Sequence, residues 1–388
     1  MRTRDGKLDP YKRPRIGSFT CRFLNLKPGG SIICEGKGRR GAFFPFGFNP
    51  LFTWGETADP GMLAVGGGYV VASTSRSDED GAMPIRFSSD RVSWAPTGRI
   101  FRPSGIPEWV DRPRKFAFWA PQLYYLPSIQ RFVAYYSAIQ ASTGKRCIGR
   151  ATSSELDNFA EDPVGPLLCS SNEAGGVAPA VFPSVPYGLI DPALFSDPRD
   201  GQLYLLYKRE KPENQMLQVP TQIAITSIGA DGRSGIGRPY VILTTSQPWE
   251  SASKGVGWSS VESPTMVYKD GAYYLFYSGN GFKTDKYAVG VARSSSPVGS
   301  PPGWTFEKYA GNPILSGDSD PAFCGVGHQD VTYTDRDGWL IFYHAYTNTD
   351  TANGKPKNCK GGRYLMMDRL RWDQPGGWPR VHDGTPDG

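Results

Sequence analysis

The sequence contains no run of about 18 consecutive apolar residues, so it offers no candidate for a membrane-spanning helix, and no membrane is expected as a partner. Its first residues, MRTRDGKLDPYKRPRIG, carry charges and prolines where an export signal needs an apolar stretch. No signal peptide is visible: either the protein is not exported by that route or its natural start differs from Met1. Cysteine is sparse, and Cys21, Cys34, Cys147, Cys169, Cys324 and Cys359 are too scattered for a zinc ribbon or a CxxC redox motif. They permit disulfides and leave the redox compartment open.

An excess of positive charge is confined to the first segment. Residues 1–48 hold eleven Lys or Arg against three acids, a net of +8, whereas the whole chain of 388 residues carries +6. A nucleic-acid-binding domain concentrates positive charge on a folded face, and here the excess sits in a leader broken by Gly and Pro. Nucleic acid is therefore not an expected partner. We read residues 1–48 as a basic leader outside the fold and 49–388 as one domain. The composition also shows what that domain is made of. The 47 Gly and 34 Pro interrupt helices and demand turns, which excludes an all-helical protein. The 20 Phe, 20 Tyr and 10 Trp within 39% hydrophobic residues supply a full core, which excludes wholesale disorder.

One design recurs five times. A small or acidic residue, usually followed by Pro, leads into an apolar strand, a turn, and a second strand rich in aromatics. The copies are ADPGMLAVGGGYVVAST from Ala58, WAPQLYYLPSIQRFVAYYSA from Trp119, IDPALFSDPRDGQLYLLYKR from Ile190, VESPTMVYKDGAYYLFYSGN from Val261 and GHQDVTYTDRDGWLIFYHAY from Gly327. Taking Asp59, Ala120, Asp191, Glu262 and Gln329 as the opening residues, the spacings are 61, 71, 71 and 67. Asp-Gly pairs at Asp200-Gly201, Asp270-Gly271 and Asp337-Gly338 supply hairpin turns. With a third and fourth strand after each hairpin, the period predicts an all-β, five-bladed β-propeller rather than a large β-sandwich. Pro60, Pro121, Pro192 and Pro264 mark equivalent strand starts and predict extended geometry at the residue before each. The period is longer than that of interaction propellers of the WD or kelch type, whose signatures are absent.

In a propeller the first strands begin near the central axis, so the opening residues converge on one mouth. There they bring Asp59, Asp191 and Glu262 together. Two carboxyls flanking a scissile bond suit glycoside hydrolysis, one protonating the leaving oxygen and one activating water, and a third charge nearby would raise the pKa of the proton donor. Each alone is weak, since Asp-Pro is a common turn opener. Their equivalence across blades is the signal.

These strings resemble glycoside hydrolase family 43, through ADPGML, SSDRVSW, WAPQL with YYSA, LIDPALFSD, VESPTM with YYLFYS, GHQDV with FYHAY, and GRYLMMDRLRWD followed by GWP. The resemblance spans roughly residues 49–380. It implies an inverting glycosidase with Asp59 as general base, Glu262 as general acid and Asp191 as the residue that tunes the acid, the first two standing on the order of 6.5–9.5 Å apart. Gln122, where the family often has an acidic residue, and Ser263, where it often has Ala or Gly, depart from the pattern without touching the three carboxylates. Three substrate-binding candidates follow: Trp119 as a sugar platform or a blade-core Trp, Arg363 reaching sugar hydroxyls or an inter-blade ion pair, and His328 beneath the site. His344 is expected to be packed rather than catalytic. The resemblance also implies a structural calcium or sodium ion near His328, although one histidine without visible oxygen ligands favours a hydrogen-bonded structural role. No cofactor is required and no metal ligand set is assigned.

The expected substrate is a plant cell-wall polysaccharide, arabinan or arabinoxylan, cleaved at α-L-arabinofuranosyl linkages by a monomer. The same fold and carboxylates serve β-xylosidases and exo-galactanases. A non-catalytic carbohydrate-binding propeller is the alternative from another class, and the retention of all three carboxylates counts against it. Polysaccharide substrates imply an extracellular enzyme. A first segment absent from the natural mature protein would reconcile that with the missing signal.

Overall fold

A computed structural model describes residues 49–51, 55–75, 81–112, 118–173, 187–210, 221–251, 259–300, 305–317, 322–347, 359–373, 376–381, 384 and 386. The leader read over 1–48 lies outside the described residues except for the backbone of an antiparallel hairpin, β1 (Phe19–Leu24) with β2 (Ser31–Gly36), in which Cys21 is opposite Cys34.

Five antiparallel sheets follow, each with its strands in chain order. Blade I comprises β3 (Gly61–Val65), β4 (Gly68–Ala72), β5 (Ala82–Ser88) and β6 (Ala95–Phe101). Blade II comprises β7 (Phe118–Leu126), β8 (Arg131–Ile139), β9 (Arg146–Ser153) and β10 (Ala160–Glu161). Blade III comprises β11 (Gly188–Ser196), β12 (Leu203–Glu210), β13 (Gln222–Ile228) and β14 (Tyr240–Thr244). Blade IV comprises β15 (Val261–Lys269), β16 (Ala272–Gly279), β17 (Ala288–Ser294) and β18 (Glu307–Lys308), with β19 (Leu315–Ser316) also paired to β17. Blade V comprises β20 (Phe323–Thr334), β21 (Gly338–Thr347), β22 (Arg363–Trp372) and β23 (Pro379–Val381). Helix among the described residues is confined to two short 3₁₀ turns, Pro103–Gly105 and Pro248–Glu250. The architecture is the five-bladed propeller that the repeat predicts.

The aromatic second strands explain the stacking. In β16, Tyr273, Tyr274, Leu275, Phe276 and Tyr277 are all buried, because both faces of the strand meet another blade. The apolar core divides accordingly into five main clusters, one between each pair of neighbours. Phe101, Phe118 and Tyr136 pack between blades I and II, and Phe195, Tyr273 and Tyr277 between III and IV. Each such buried side chain contributes roughly 1.5–3 kcal/mol. The phenol hydroxyls need partners in this setting, and Tyr69 donates to Asp337 at 2.7 Å while Tyr277 donates to Glu250 at 2.8 Å. At the tips, Asp270 (φ 49°) and Gly271 (φ 84°) adopt the two positive φ values of a type I′ turn, as the Asp-Gly pair predicts.

The ring is closed by the start of the domain. Leu51 and Thr57 donate backbone hydrogen bonds to Leu365 and Arg363 of β22 at 2.9 and 2.7 Å. Asn49 bonds the Met367 carbonyl through Nδ2 and accepts its amide through Oδ1. The outer edge of blade V is thus shared between the first described residues of the domain and the near-terminal β23. Two disulfides add cross-links, Cys147–Cys169 in blade II and Cys324–Cys359 in blade V.

The residues before Pro60, Pro121, Pro192 and Pro264 are not extended. Asp59, Ala120, Asp191 and Ser263 have φ of 53°, 46°, 54° and 52°, and His328 in blade V has 53°. In blades II to V this residue lies in a break of ladder register: Trp119/Gln122, Ile190/Ala193, Glu262/Thr265 and Gly327/Asp330. A left-handed L-residue costs on the order of 1–2 kcal/mol, so five equivalent ones mark positions that the surrounding structure over-determines. The bulge overrides the preference that Pro imposes on its predecessor, because it turns that residue's N–H out of its own ladder and toward the neighbouring blade.

Candidate active site

Four of these amides meet a side chain from the end of the preceding blade's second strand. Ala120 donates to Thr74 Oγ1 at 3.0 Å, Asp191 to Ser137 Oγ at 2.9 Å, His328 to Ser278 Oγ at 2.8 Å, and Asp59 to His344 Nδ1 at 3.1 Å. In blade III the matching position is Lys208, which stands opposite Ile190 as Ser137 does Trp119, Ser278 does Glu262 and His344 does Gly327. An ammonium group cannot accept a hydrogen bond. The Ser263 amide is taken instead by Asp191 Oδ2 at 3.1 Å, and Lys208 Nζ bonds Glu262 Oε2 at 2.7 Å.

The three predicted carboxylates therefore meet from blades I, III and IV, all of them buried or nearly so. Asp59 and Asp191 occupy the left-handed position itself. Glu262 stands one residue before it, so the alignment that equated Glu262 and Gln329 with Asp59 is one residue out in blades IV and V, where Ser263 and His328 are the true equivalents.

Each carboxylate has its own electrostatic setting. Asp59 Oδ1 lies 2.8 Å from Arg363 Nη1 and 3.3 Å from His328 Nδ1, and Thr74 donates to Oδ2. Burial alone would raise its pKa, but Arg363 foremost, with His328 and Thr74, holds it well below the ordinary carboxylate range. Asp59 is ionised at neutral pH. Burial pushes Asp191 up to about 6, with the charges of Glu262 and Asp59 adding to the rise against His328 and Lys208. Burial would also raise Glu262, yet Lys208, His328 and the Tyr287 hydroxyl, 2.6 Å from Oε1, hold it below its usual value. In this geometry the proton of the Asp191–Glu262 pair rests on Asp191, whereas the sequence suggests that a neighbouring charge keeps Glu262 loaded.

Of the three binding candidates, Arg363 and His328 converge on Asp59. Arg363 also bonds Glu56 Oε1 through its amide at 3.3 Å and lies 5.0 Å from the Phe282 ring centroid. Trp119 is half-buried, belongs to none of the apolar clusters, and has Arg146 5.6 Å from its ring centroid. It holds the ladder position in blade II that Glu262 holds in blade IV. His344 is fully buried, as expected, and burial with Arg363 keeps it neutral, as its acceptor Nδ1 requires. Its ring stacks on Tyr287 and on His328, both at 5.9 Å. A hard cation near His328 would need a shell of oxygen donors. Among the described residues no group of three or more ligating side chains is arranged to hold one, and the Asp59 oxygens are already engaged.

The model of the family described as glycosyl hydrolases family 43 matches residues 49–379. The chain belongs to this family. It is a glycosidase, and its five-bladed propeller is the family's fold. It is 25% identical over 329 residues to the extracellular endo-α-(1→5)-L-arabinanase 1 of Bacillus subtilis (strain 168), covering 83% of this chain and 86% of that protein. It is also 25% identical to the extracellular exo-α-(1→5)-L-arabinofuranosidase ArbA of Cellvibrio japonicus (strain Ueda107), over 84% of this chain and 87% of that one. Among solved structures, a thermostable family-43 glycoside hydrolase superposes with a TM-score of 0.69 at 26% identity, covering 88% of this chain and 97% of that chain.

Within this family-43 site, sequence reasoning missed Lys208, Tyr287, Thr74 and Glu56. Lys208 had a legible signal. The second strands read Tyr136-Ser137, Tyr207-Lys208, Tyr277-Ser278 and Tyr343-His344, so a cation replaces a hydrogen-bond acceptor in blade III alone. Tyr287 and Glu56 lie outside the repeated strings and carried none.

Proposed function

We propose that the protein is an inverting glycosidase that cleaves α-L-arabinofuranosyl linkages of arabinan or arabinoxylan, with Asp59 as base and Glu262 as acid. Asp59 takes a proton from water, whose oxygen bonds to the anomeric carbon. Glu262, having taken over the proton that rests on Asp191 in the free enzyme, gives it to the glycosidic oxygen as the bond from that oxygen to the anomeric carbon breaks. Asp191 is the buried carboxyl coupled to Glu262 that keeps a proton available to the pair. Arg363, His328 and Trp119 bind the saccharide, Arg363 by donating to hydroxyls and Trp119 by apolar contact with a ring face. The observation that carries this reading is the division of charge: Asp59 is held ionised by Arg363, while the Asp191–Glu262 pair retains a proton up to about pH 6. Arabinan is the substrate favoured by the arabinan-active relatives. An extracellular location is supported by their description and by two disulfides, which persist in oxidising surroundings.

Asp59→Asn and Glu262→Gln should each reduce hydrolysis of arabinan by at least about 100-fold while leaving saccharide binding measurable by calorimetry. Proton NMR of the first-formed anomer should show inversion. Retention would reject the mechanism, and a wild type inert on arabinan and arabinoxylan would reject the substrate.

A further inference from the structure

We propose that Lys208 is a positioning residue for this reaction: its ammonium, seated between Glu262 and Glu210, orients the Glu262 carboxyl toward the glycosidic oxygen and neutralises the carboxylate left once that proton has gone. The inference rests on the reading of Glu262 as the acid. Its first support is the broken repeat. At four inter-blade junctions the second-strand residue accepts the next blade's amide, and at the one where Glu262 stands it is a residue that cannot. The rule is kept at four positions, those of Asp59 and Asp191 among them, and broken only at the one beside Glu262, which points to a role tied to Glu262 itself. The exception has a structural cost, since Asp191 must take over the Ser263 amide.

Geometry is the second support. Lys208 is 7% exposed, and its Nζ lies 2.7 Å from Glu262 Oε2 and 3.8 Å from Glu210 Oε2. A buried cation between two carboxylates can lean to either, so Glu262 can carry its proton without leaving Lys208 unpaired. The groups facing this pair are Tyr287 before β17, His328 on β20, Asp191 on β11 and, across Glu210, Arg146 on β9. Tyr287 fixes one oxygen of Glu262 and Lys208 the other, which leaves the carboxyl little rotational freedom. Lys208 acts only through Glu262. Its removal should therefore harm the step that needs a proton donor and spare the step that does not.

Lys208→Met, Lys208→Arg and Glu210→Gln are to be compared with the wild type on two glycosides of whichever pentose it cleaves. One is a 2,4-dinitrophenyl glycoside, whose leaving group needs no proton, and the other a disaccharide, whose leaving group does. Lys208→Met should lose about 10–100-fold in kcat on the disaccharide with KM little changed, and far less on the aryl glycoside. The alkaline limb of the disaccharide profile should move up in pH, because the carboxylate has lost its counter-charge. Lys208→Arg should bring the limb back toward the wild-type position. Glu210→Gln, which leaves Lys208 to Glu262 alone, should move it down. Equal losses of Lys208→Met on both substrates, or a limb unmoved in both Lys208→Met and Glu210→Gln, overturn the assignment. Should thermal melting show that Lys208→Met does not fold, the Lys208→Arg and Glu210→Gln profiles decide alone. Glu262→Gln is the separate control: full disaccharide hydrolysis by that variant rejects Glu262 as the acid, whatever Lys208 does.

Discussion

Arg363 Nη1 stands 2.8 Å from Asp59 Oδ1, joining residues 304 positions apart. The pair is mostly buried, with side-chain exposures of 14% and 10%. Removing the cation strands a buried carboxylate. Arg363→Met should raise the ionisation point of Asp59, so that kcat/KM acquires an acid limb that the wild type lacks above about pH 4, and should cost about 3 kcal/mol in stability. A pH–rate profile and a denaturant melt check the two effects. An unchanged acid side would show that Arg363 does not govern Asp59.

The wild-type profile itself is expected to be one-sided. Asp59 is ionised throughout the working range, and the Asp191–Glu262 pair loses its proton as pH rises through about 6. A raised value means the protonated form is populated below that pH and lost above it. Activity should therefore be highest in mild acid and decline above about 6, measured as kcat/KM across buffers of constant ionic strength. A maximum at pH 8 would contradict this assignment of charges.

Tyr287→Phe removes the 2.6 Å hydrogen bond to Glu262 Oε1 and nothing of similar volume. A bond to an ionised group is worth about 1.5 kcal/mol, so kcat should fall about 10-fold. The alkaline limb should rise, because Glu262 loses a donor that favours its ionised form. Kinetics at a series of pH values separates this from a fall caused by misfolding.

Thr74 serves two groups at once, accepting the Ala120 amide and donating to Asp59. Thr74→Val leaves a buried amide without its acceptor and should destabilise the protein by about 1–3 kcal/mol. Thr74→Ser keeps the hydroxyl and should recover most of the loss in a thermal melt.

Cys324–Cys359 closes a loop of 35 residues, and Cys359 precedes Arg363 by four positions. Cys324→Ser with Cys359→Ser should cost on the order of 3–4 kcal/mol. KM should rise as well, because the bridge anchors the approach to β22. Steady-state kinetics below the melting transition detects the second effect.

Which of these features could be read from the chain depends on their range. The five hairpins were legible because aromatic strands and Asp-Gly turns are local patterns, and Asp59, Asp191 and Glu262 fell out of their repetition. The one-residue offset of Glu262 was not legible: Glu262 and Asp59 both stand near the start of a first strand, and only the left-handed backbone at Ser263 tells them apart. The link of Tyr287 to Glu262 crosses from a loop to a neighbouring strand with no periodicity to expose it. Arg363 was found by its resemblance, yet its neighbour Glu56 was not, because that contact exists only once the ring has closed. Lys208 lay in plain view among the second strands. Its reach to Glu262 is a contact between neighbouring blades, which no pattern within one strand displays.

The closure of blade V by Asn49, Leu51 and Thr57 has a consequence for inactivation. Asp59 is two residues beyond Thr57, whose amide bonds Arg363 O, so the Asp59 carboxylate and the Arg363 guanidinium sit on opposite sides of the same junction. Fraying there separates them while the other four inter-blade contacts persist. On warming, catalysis should be lost before the ellipticity of the sheets changes, and it should return on cooling for as long as the blades have not parted.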